Sequence, residues 1–163
     1  MNKPSPNALI WLSLSLALIA LDQWTKSLAV QHLAFQQPIA VIPGFWNWML
    51  THNTGAAFSF LAGASGWQHW LFTLIAIVVS TVLIVWLARV PRGDWRSALP
   101  FAMIVAGALG NVVDRLRLGY VIDFIQWYWR DFYWPVFNIA DSSLVVGASL
   151  MVLLSMFSKE KTP

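Results

Sequence analysis

Four aspartates lie inside or at the edge of strongly apolar segments of this chain: Asp22, Asp114, Asp123 and Asp141. A carboxylate at membrane depth is costly, so it usually faces a bundle interior and serves a function. Two neighbouring carboxylates repel each other, and with partial desolvation this raises one pKa so that the pair shares a proton. The ionised member activates a water, and the protonated member polarises an amide carbonyl and later protonates the leaving nitrogen. The aspartates therefore indicate aspartic-protease chemistry, which needs no metal, no cofactor and no covalent intermediate.

The elements that must position these carboxylates are membrane spans. Of the 163 residues 58% are hydrophobic and 10% are charged, and the mean hydropathy is +0.63. A spanning helix takes roughly 20 predominantly apolar residues, and four stretches qualify: 8–30, 70–88, 97–113 and 138–157. The first run continues without a cleavage site into Asp22, so we interpret it as a span and not as a secretory signal. We predict an all-α membrane protein, in which residues 1–163 form one domain built on a four-transmembrane-helix bundle.

The two outer connections, 31–69 and 115–137, are not ordinary loops. Residues 39–42 and 46–51 are β-prone and are separated by Pro43 and Gly44, which predicts a small sheet or hairpin. Most of the aromatic residues fall in these two connections, and such amphipathic rings favour the lipid headgroup level. We expect a small extracytoplasmic β-rich cradle and a surface-lying segment, although a generic aromatic belt at the span ends would give the same composition.

The distribution of basic residues predicts the orientation, because loops that stay cytoplasmic carry an excess of Lys and Arg. Six of the ten basic residues flank the predicted inner ends of the spans: Lys3, Arg89, Arg92, Arg96, Lys159 and Lys161. Both termini should therefore be cytoplasmic, and the two aromatic connections should lie outside. The sequence pI of about 9.6 reflects this asymmetry, so we do not interpret it as nucleic-acid binding.

Polar residues recur at helical spacing near the predicted outer span ends. They are Asp22 and Lys26 on the first span, Gly107, Gly110, Asn111 and Asp114 on the third, and Asn138, Asp141 and Ser142 on the fourth. Residues three or four apart share a helix face. With the predicted orientation, all these groups converge at one depth, close to the outer membrane face.

Most of these residues also have an ordinary structural explanation: an ion pair for Asp22 and Lys26, an orienting role for Asp114, a turn for Asn53 and a helix cap for Asn138. Asp123 is the exception. It lies between Ile122 and Phe124 in an apolar run without an adjacent basic partner, where a merely structural carboxylate would be poorly placed.

Five sequence blocks resemble the lipoprotein signal peptidases, the type II signal peptidases of bacteria. They are DQWTK at 22–26, NTGAAFS at 53–59, GNVVDR at 110–115, GYVIDF at 119–124 and FNIADS at 137–142. The blocks occur in the family's order on four spans, and no motif position departs from the pattern. The resemblance covers nearly the whole chain.

The resemblance implies a role for each matching position. Asp123 and Asp141 match the catalytic dyad, and the supporting positions are Asp22, Lys26 and Asp114. Positions that line the site and hold the substrate backbone are Asn53, Asn111, Arg115 and Asn138. The family removes the signal peptide from prolipoproteins just before a diacylglyceryl-modified cysteine, in the bacterial cytoplasmic membrane, and is inhibited by globomycin. The short connections and small size suggest a monomer among the membrane lipids.

Three other functions are open from the residues alone. Intramembrane carboxylates also build proton relays in transporters, although here they cluster near one face. A serine protease is possible because residues 63–66 read GASG, around Ser65, with His52 and His69 nearby. A non-enzymatic assembly factor would use the aspartates only for packing. A metalloprotease is disfavoured, since the three histidines lack ligand spacing on a helix.

Overall fold

The computed structural model describes residues 6–55 and 67–157. Its four long helices match the predicted spans: a 3-10 turn, Ala8–Trp11, leads into α1, Leu12–His32, and is followed by α2, Trp67–Leu87, α3, Trp95–Leu118, and α4, Ile139–Met156. Each is long and apolar enough to cross a membrane. The predicted four-helix membrane fold is confirmed.

Helix α3 is the centre of the bundle. It packs against the other three helices. In its most apolar 18-residue stretch 72% of the residues are buried, compared with 17–22% in the corresponding stretches of the other three helices. Asp94 caps its N-terminus by accepting from the backbone N–H of Ser97, and Gly119 ends it in the left-handed conformation at φ 82°. The predicted third span ended at residue 113, whereas α3 continues to Leu118. Arg115 therefore belongs to the helix and not to the connection that follows.

Helices α3 and α4 approach closely because glycines lie at their contact. A β-carbon added at Gly107 would collide with the backbone oxygen of Ala140 and lie 2.8 Å from the backbone nitrogen of Leu144. On the facing helix, a β-carbon added at Gly147 would lie 3.0 Å from the backbone oxygen of Pro100. Glycine at these positions lets the two backbones come together, as small residues do at membrane helix interfaces.

A four-stranded antiparallel sheet has the order β1-β2-β3-β4, with β1 at Ile39–Ile42, β2 at Trp46–Asn53, β3 at Val121–Trp129 and β4 at Phe132–Tyr133. The strands predicted at 39–42 and 46–51 are confirmed. Strand β3 was not predicted, since residues 115–137 were expected only to form an outer connection. Its first six residues are all buried, so the alternating pattern that identifies a half-exposed strand is absent.

The sheet packs at one end of the bundle. Ala29 of α1 belongs to the same buried cluster as Leu50 of β2 and Phe124 of β3. At the other end of α1, the backbone N–H of Ala8 donates to the carbonyl of Val90 at 2.9 Å. The start of the described chain and the α2–α3 connection therefore lie together, at the end of the bundle away from the sheet.

The close approach of α3 and α4 predicts the effect of a single methyl group. We expect Gly107→Ala to lower the free energy of unfolding by about 1–3 kcal/mol, because overpacking forces the helices apart. Gly93→Ala is the matched control, since a β-carbon there meets nothing within 4 Å. Thermal unfolding in detergent micelles checks this, and equal Tm values for the two variants would contradict the predicted packing.

Candidate active site

Asp123 and Asp141 lie on different elements and are joined by one residue, Asn138. Asp123 is on β3, and Asp141 is in the first turn of α4. The side-chain amide of Asn138 donates to Oδ1 of Asp123 at 2.7 Å, and its backbone N–H donates to Oδ2 of Asp141 at 3.3 Å. The sequence-predicted pair is therefore brought to one place by tertiary structure, although 18 positions separate the two residues in the chain.

The cap of α4 explains how Asn138 reaches both carboxylates. Asn138 is the N-cap residue, with extended backbone, and its Oδ1 accepts from the backbone N–H of Asp141 at 2.8 Å. Asp141 completes a capping box by accepting from the Asn138 backbone. With Oδ1 committed to the cap, the amide nitrogen of Asn138 points to Asp123. The predicted cap is confirmed, and the same residue also takes part in the site.

Asp123 is held by two amides in a buried position. Its side chain is 1% exposed, and Nδ2 of Asn53 donates to its Oδ2 at 3.0 Å, opposite the bond from Asn138. Burial raises the pKa of Asp123 to about 7, and the nearby charge of Asp141 adds to the rise, against the opposing effect of the two amide hydrogen bonds. A carboxyl with this pKa can hold or release a proton near neutral pH.

Asn53 is oriented by the turn that the sequence predicts. It ends β2, and its Oδ1 accepts from the backbone N–H of Gly55 at 2.9 Å, which leaves Nδ2 facing Asp123. Gly55 has a φ of 94°, a conformation that favours glycine. The turn and the contact with Asp123 are thus two uses of one amide.

Asn111 on α3 connects the pair to a buried cation. Its Oδ1 accepts from Nζ of Lys26 at 3.0 Å and from Nδ2 of Asn138 at 3.1 Å. Its Nδ2 donates to Oδ1 of Asp141 at 2.7 Å. Because an ammonium group can only donate, Lys26 determines which end of the Asn111 amide faces Asp141.

Lys26 is the charged centre of the supporting residues. Its Nζ lies 2.8 Å from Oδ2 of Asp22 and 2.8 Å from Oδ2 of Asp114, and the side chain is 2% exposed. Together with Asn111, these give three acceptors for the three donors of an ammonium group. In the part of the chain that the structure describes, these are the only two ion pairs. The predicted pairing of Asp22 with Lys26 is confirmed, and Asp114 joins it.

The supporting aspartates also hold backbone next to the dyad. Oδ1 of Asp22 accepts from the backbone N–H of Ala140 at 2.9 Å, and Oδ2 of Asp114 accepts from the backbone N–H of Ile122 at 3.1 Å. Ala140 and Ile122 directly precede Asp141 and Asp123. Each supporting carboxylate therefore fixes the backbone beside one member of the pair.

Arg115 is near the pair without bonding to it. Its guanidinium carbon lies 5.7 Å from the ring centre of Phe72, and its charge acts on Asp123 and Asp141. Its Nε is buried and has no hydrogen-bond partner among residues 6–55 and 67–157. Of the nine site residues predicted from sequence, Arg115 alone is not hydrogen-bonded into the network in this described part of the chain.

One residue of the network was not predicted. Gln23 donates from Nε2 to Oδ1 of Asp114 at 2.7 Å and approaches Oδ2 of Asp22 and the carbonyl of Gly110, each at 3.2 Å. Its position next to Asp22 in the DQWTK block was the available signal. The residue type alone gave no indication of a role, since a glutamine near the end of a span usually hydrogen-bonds to water.

The described residues give no support to the metalloprotease and serine-protease alternatives. Within 6–55 and 67–157, no group of three or more His, Asp or Glu side chains could hold a metal ion. The His52 ring packs between those of Phe35 and Tyr120, at centroid distances of 4.7 and 4.0 Å. The GASG sequence with Ser65 lies outside the described residues.

Comparison with known proteins gives matches along almost the whole chain. The profile of the family described as "Signal peptidase (SPase) II" matches residues 14–157. A lipoprotein signal peptidase of Xylella fastidiosa strain M12 is 55% identical over 100% of this chain and 98% of the relative. One of Xanthomonas campestris pv. campestris strain 8004 is 53% identical, covering 99% and 96%.

Solved structures agree with this likeness. Two structures described as bacterial membrane enzymes align with TM-scores of 0.79 and 0.75, at 30% and 29% identity. The first covers 99% of this chain and 98% of its own, and the second covers 96% and 97%. The fold described above is therefore similar to that of these enzymes along their full length.

The buried cation predicts a large stability effect. We expect Lys26→Met to lower the free energy of unfolding by about 3–5 kcal/mol, because it leaves the carboxylates of Asp22 and Asp114 buried without their counter-ion. The double variant Lys26→Met/Asp114→Asn should regain part of this loss, since it removes one of the two negative charges. Unfolding in detergent measures both, and a Lys26→Met protein as stable as the wild type would contradict the role of this cation.

Proposed function

Because this chain belongs to the signal peptidase II family, we propose that it is a multi-pass bacterial membrane protease that removes signal peptides from prolipoproteins. The observation that supports this most directly is the bridge through Asn138, which joins Asp123 and Asp141 at the end of a membrane bundle. Cleavage occurs just before the cysteine that carries diacylglycerol. The substrate is apolar in both its signal helix and its acyl chains, so a site at the edge of the bilayer admits it sideways from the lipid.

Asp123 and Asp141 are the catalytic residues of this proposal. The ionised carboxylate takes a proton from a water molecule as its oxygen attacks the scissile carbonyl carbon, and the protonated carboxyl donates its proton to the carbonyl oxygen. The tetrahedral intermediate then breaks its C–N bond. The leaving amine receives the proton that was taken from water. A hydroxyl of the intermediate returns its proton to the other carboxylate as the new carboxyl terminus forms on the signal peptide, and this restores the singly protonated dyad. No metal ion or other cofactor takes part in these steps.

The surrounding polar groups bind substrate and hold the dyad. Asn53, Asn111 and Asn138 donate to the two carboxylates, and these three amides together with Arg115 bind the substrate backbone. Arg115, whose Nε is buried and has no hydrogen-bond partner among the described residues, offers a donor for a substrate carbonyl. Asp22, Lys26 and Asp114 are the supporting residues.

We also propose the location and the partners of this enzyme. Arg89 and Arg92 lie in the α2–α3 connection and Arg96 follows it in α3, and the start of the described chain lies beside this connection. Both termini are therefore on the cytoplasmic side of the inner membrane, and the dyad is at the periplasmic face. The enzyme acts as a monomer among membrane lipids, binds no nucleic acid, and is inhibited by globomycin-type peptides at the dyad.

The dyad is tested by two isosteric substitutions. We expect Asp123→Asn and Asp141→Asn each to fold and to lose cleavage of a diacylglyceryl-modified prolipoprotein by about 100-fold or more, because each removes one proton-transfer group. Asp131→Asn, at an exposed position in the turn after β3, is the matched control and should cleave normally. Retained cleavage in either dyad variant would contradict the proposal.

The pKa of Asp123 predicts the pH profile. At about 7 it is well above the ordinary value of 3.8, so Asp123 is protonated below pH 7 and ionises as the pH rises through it. Activity should therefore fall above about pH 7, when both carboxylates carry charge, and fall again in acid, when both are protonated. The same raised pKa has a separate effect on folding: between about pH 4 and 7 the folded state binds a proton that the unfolded state has lost, so stability falls as the pH rises through this range.

Asn53→Ala provides the control for this assignment. The amide of Asn53 lowers the pKa of Asp123 by bonding to its carboxylate, so its removal should move the alkaline limb of the kcat profile to higher pH. A limb that stays in place or moves to lower pH would show that Asp123 does not determine it.

A further inference from the structure

We infer that Gln23 is a positioning residue that, with Lys26, fixes the spacing of the two catalytic aspartates. The inference rests on the proposed function and adds a role for a residue outside the nine predicted site positions. Gln23 has no hydrogen bond to Asp123 or Asp141 among those seen in residues 6–55 and 67–157. It acts through the two supporting carboxylates.

The supporting carboxylates form a second pair behind the dyad. Asp22 holds the backbone N–H of Ala140, and Asp114 holds the backbone N–H of Ile122, at 2.9 and 3.1 Å. These are the residues directly before Asp141 and Asp123. The distance between Asp22 and Asp114 is therefore transmitted to the dyad through two short, matching connections.

Two side chains of α1 bridge this second pair. Nζ of Lys26 lies 2.8 Å from Oδ2 of each carboxylate. Nε2 of Gln23 donates to the other oxygen of Asp114, Oδ1, at 2.7 Å and lies 3.2 Å from Oδ2 of Asp22. Lys26 and the backbone N–H of Ile122 both bond to Oδ2 of Asp114, so among the described residues Gln23 is the contact to its other oxygen. Contacts to both oxygens fix the plane of the Asp114 carboxylate.

A glycine on α3, Gly110, leaves room for the contacts of Gln23 and Asp22. Gln23 also lies 3.2 Å from the carbonyl of Gly110, where α1 and α3 approach closely. A β-carbon at Gly110 would lie 3.1 Å from Oδ2 of Asp22, so glycine allows the carboxylate to reach the bridge. Because amide hydrogen bonds to a carboxylate are charge-assisted and sensitive to geometry, loss of one shifts the groups it holds.

Gln23 can be replaced by a residue of similar size that forms no hydrogen bonds. Gln23, Lys26 and Asp114 line a cavity of about 270 Å³ that also borders Gln31. Leucine has a size close to that of glutamine, so Gln23→Leu removes the hydrogen bonds with little steric change. Gln31→Leu is the matched control, because Gln31 lies on the same helix, is exposed, and bonds only to the hydroxyl of Ser27 in the described chain.

The experiment measures kcat, KM and the pH profile on diacylglyceryl-modified prolipoprotein, per folded molecule in detergent. Gln23→Leu removes the 2.7 Å bond to Asp114 together with the two 3.2 Å contacts. A resulting loss of about 1 kcal/mol in the transition state lowers kcat about fivefold. KM stays within about twofold, since Gln23 does not face the substrate in this arrangement. Gln31→Leu keeps wild-type values.

The pH profile separates positioning from mere stability. The charged groups that face Asp123 are Asp141 from α4, Lys26 from α1 and Arg115 from α3. A wider dyad weakens the repulsion from Asp141, so the alkaline limb of Gln23→Leu moves to lower pH. A variant with less folded protein but an unchanged kcat and profile would overturn the inference, as would a change in KM alone.

Gln23→Glu keeps the test decisive if the leucine variant does not fold. It preserves the shape but, when ionised, offers no donor and adds a third carboxylate beside Asp22 and Asp114. We expect kcat to fall below the wild-type value at neutral pH, and we expect this deficit to be smaller when both proteins are compared in acid, as the introduced carboxylate gains a proton. An unchanged kcat in this variant would overturn the inference. If the wild type did not cleave, or Asp123→Asn did, the proposed function itself would fail and this inference with it.

Discussion

The buried ammonium of Lys26 is the interaction on which the site depends. Three acceptors from two helices surround it: Asp22 of α1, and Asp114 and Asn111 of α3. A buried charge of this kind is tolerated only when its hydrogen bonds and its counter-charge are both satisfied. Each of these acceptors also accepts from or donates to a residue of α4 or β3. The residues that surround the Lys26 ammonium therefore link α1, α3, α4 and β3 at one point.

Three asparagine side chains hold the dyad, and one of them, Asn111, links it to the Lys26 ammonium. An asparagine side chain has a donor end and an acceptor end, so fixing one end aims the other. Lys26 takes the oxygen of Asn111, the cap of α4 takes the oxygen of Asn138, and the turn at Gly55 takes the oxygen of Asn53. All three nitrogens then donate to Asp123 or Asp141, the proposed catalytic carboxylates. The helix cap and the turn are therefore structural features that also orient the amides that hold these two carboxylates.

The position of the site follows from the sheet. Strand β3 places Asp123 at the end of the bundle, where its first residues pack against α1 and are shielded on both faces. Burial there is deep enough to raise the pKa of Asp123 to about 7, yet the site remains at the end of the spans and not in their middle. Asp123 can thus hold a proton near neutral pH at the level where the spans end.

The sequence by itself predicted the four spans and the first two strands, which the structure confirms, and its motif blocks supplied the nine candidate site residues. Long apolar runs, helical spacing and the motif blocks are local features, and local features are readable from one chain. Only the tertiary structure decided that 121–129 is a strand, because a strand buried on both faces shows no alternation. It also decided that Asp114 shares Lys26 with Asp22 and that Gln23 bridges the same two carboxylates. Those contacts join residues that are about 90 positions apart, and the geometry of an amide between two carboxylates exists only after the helices have packed.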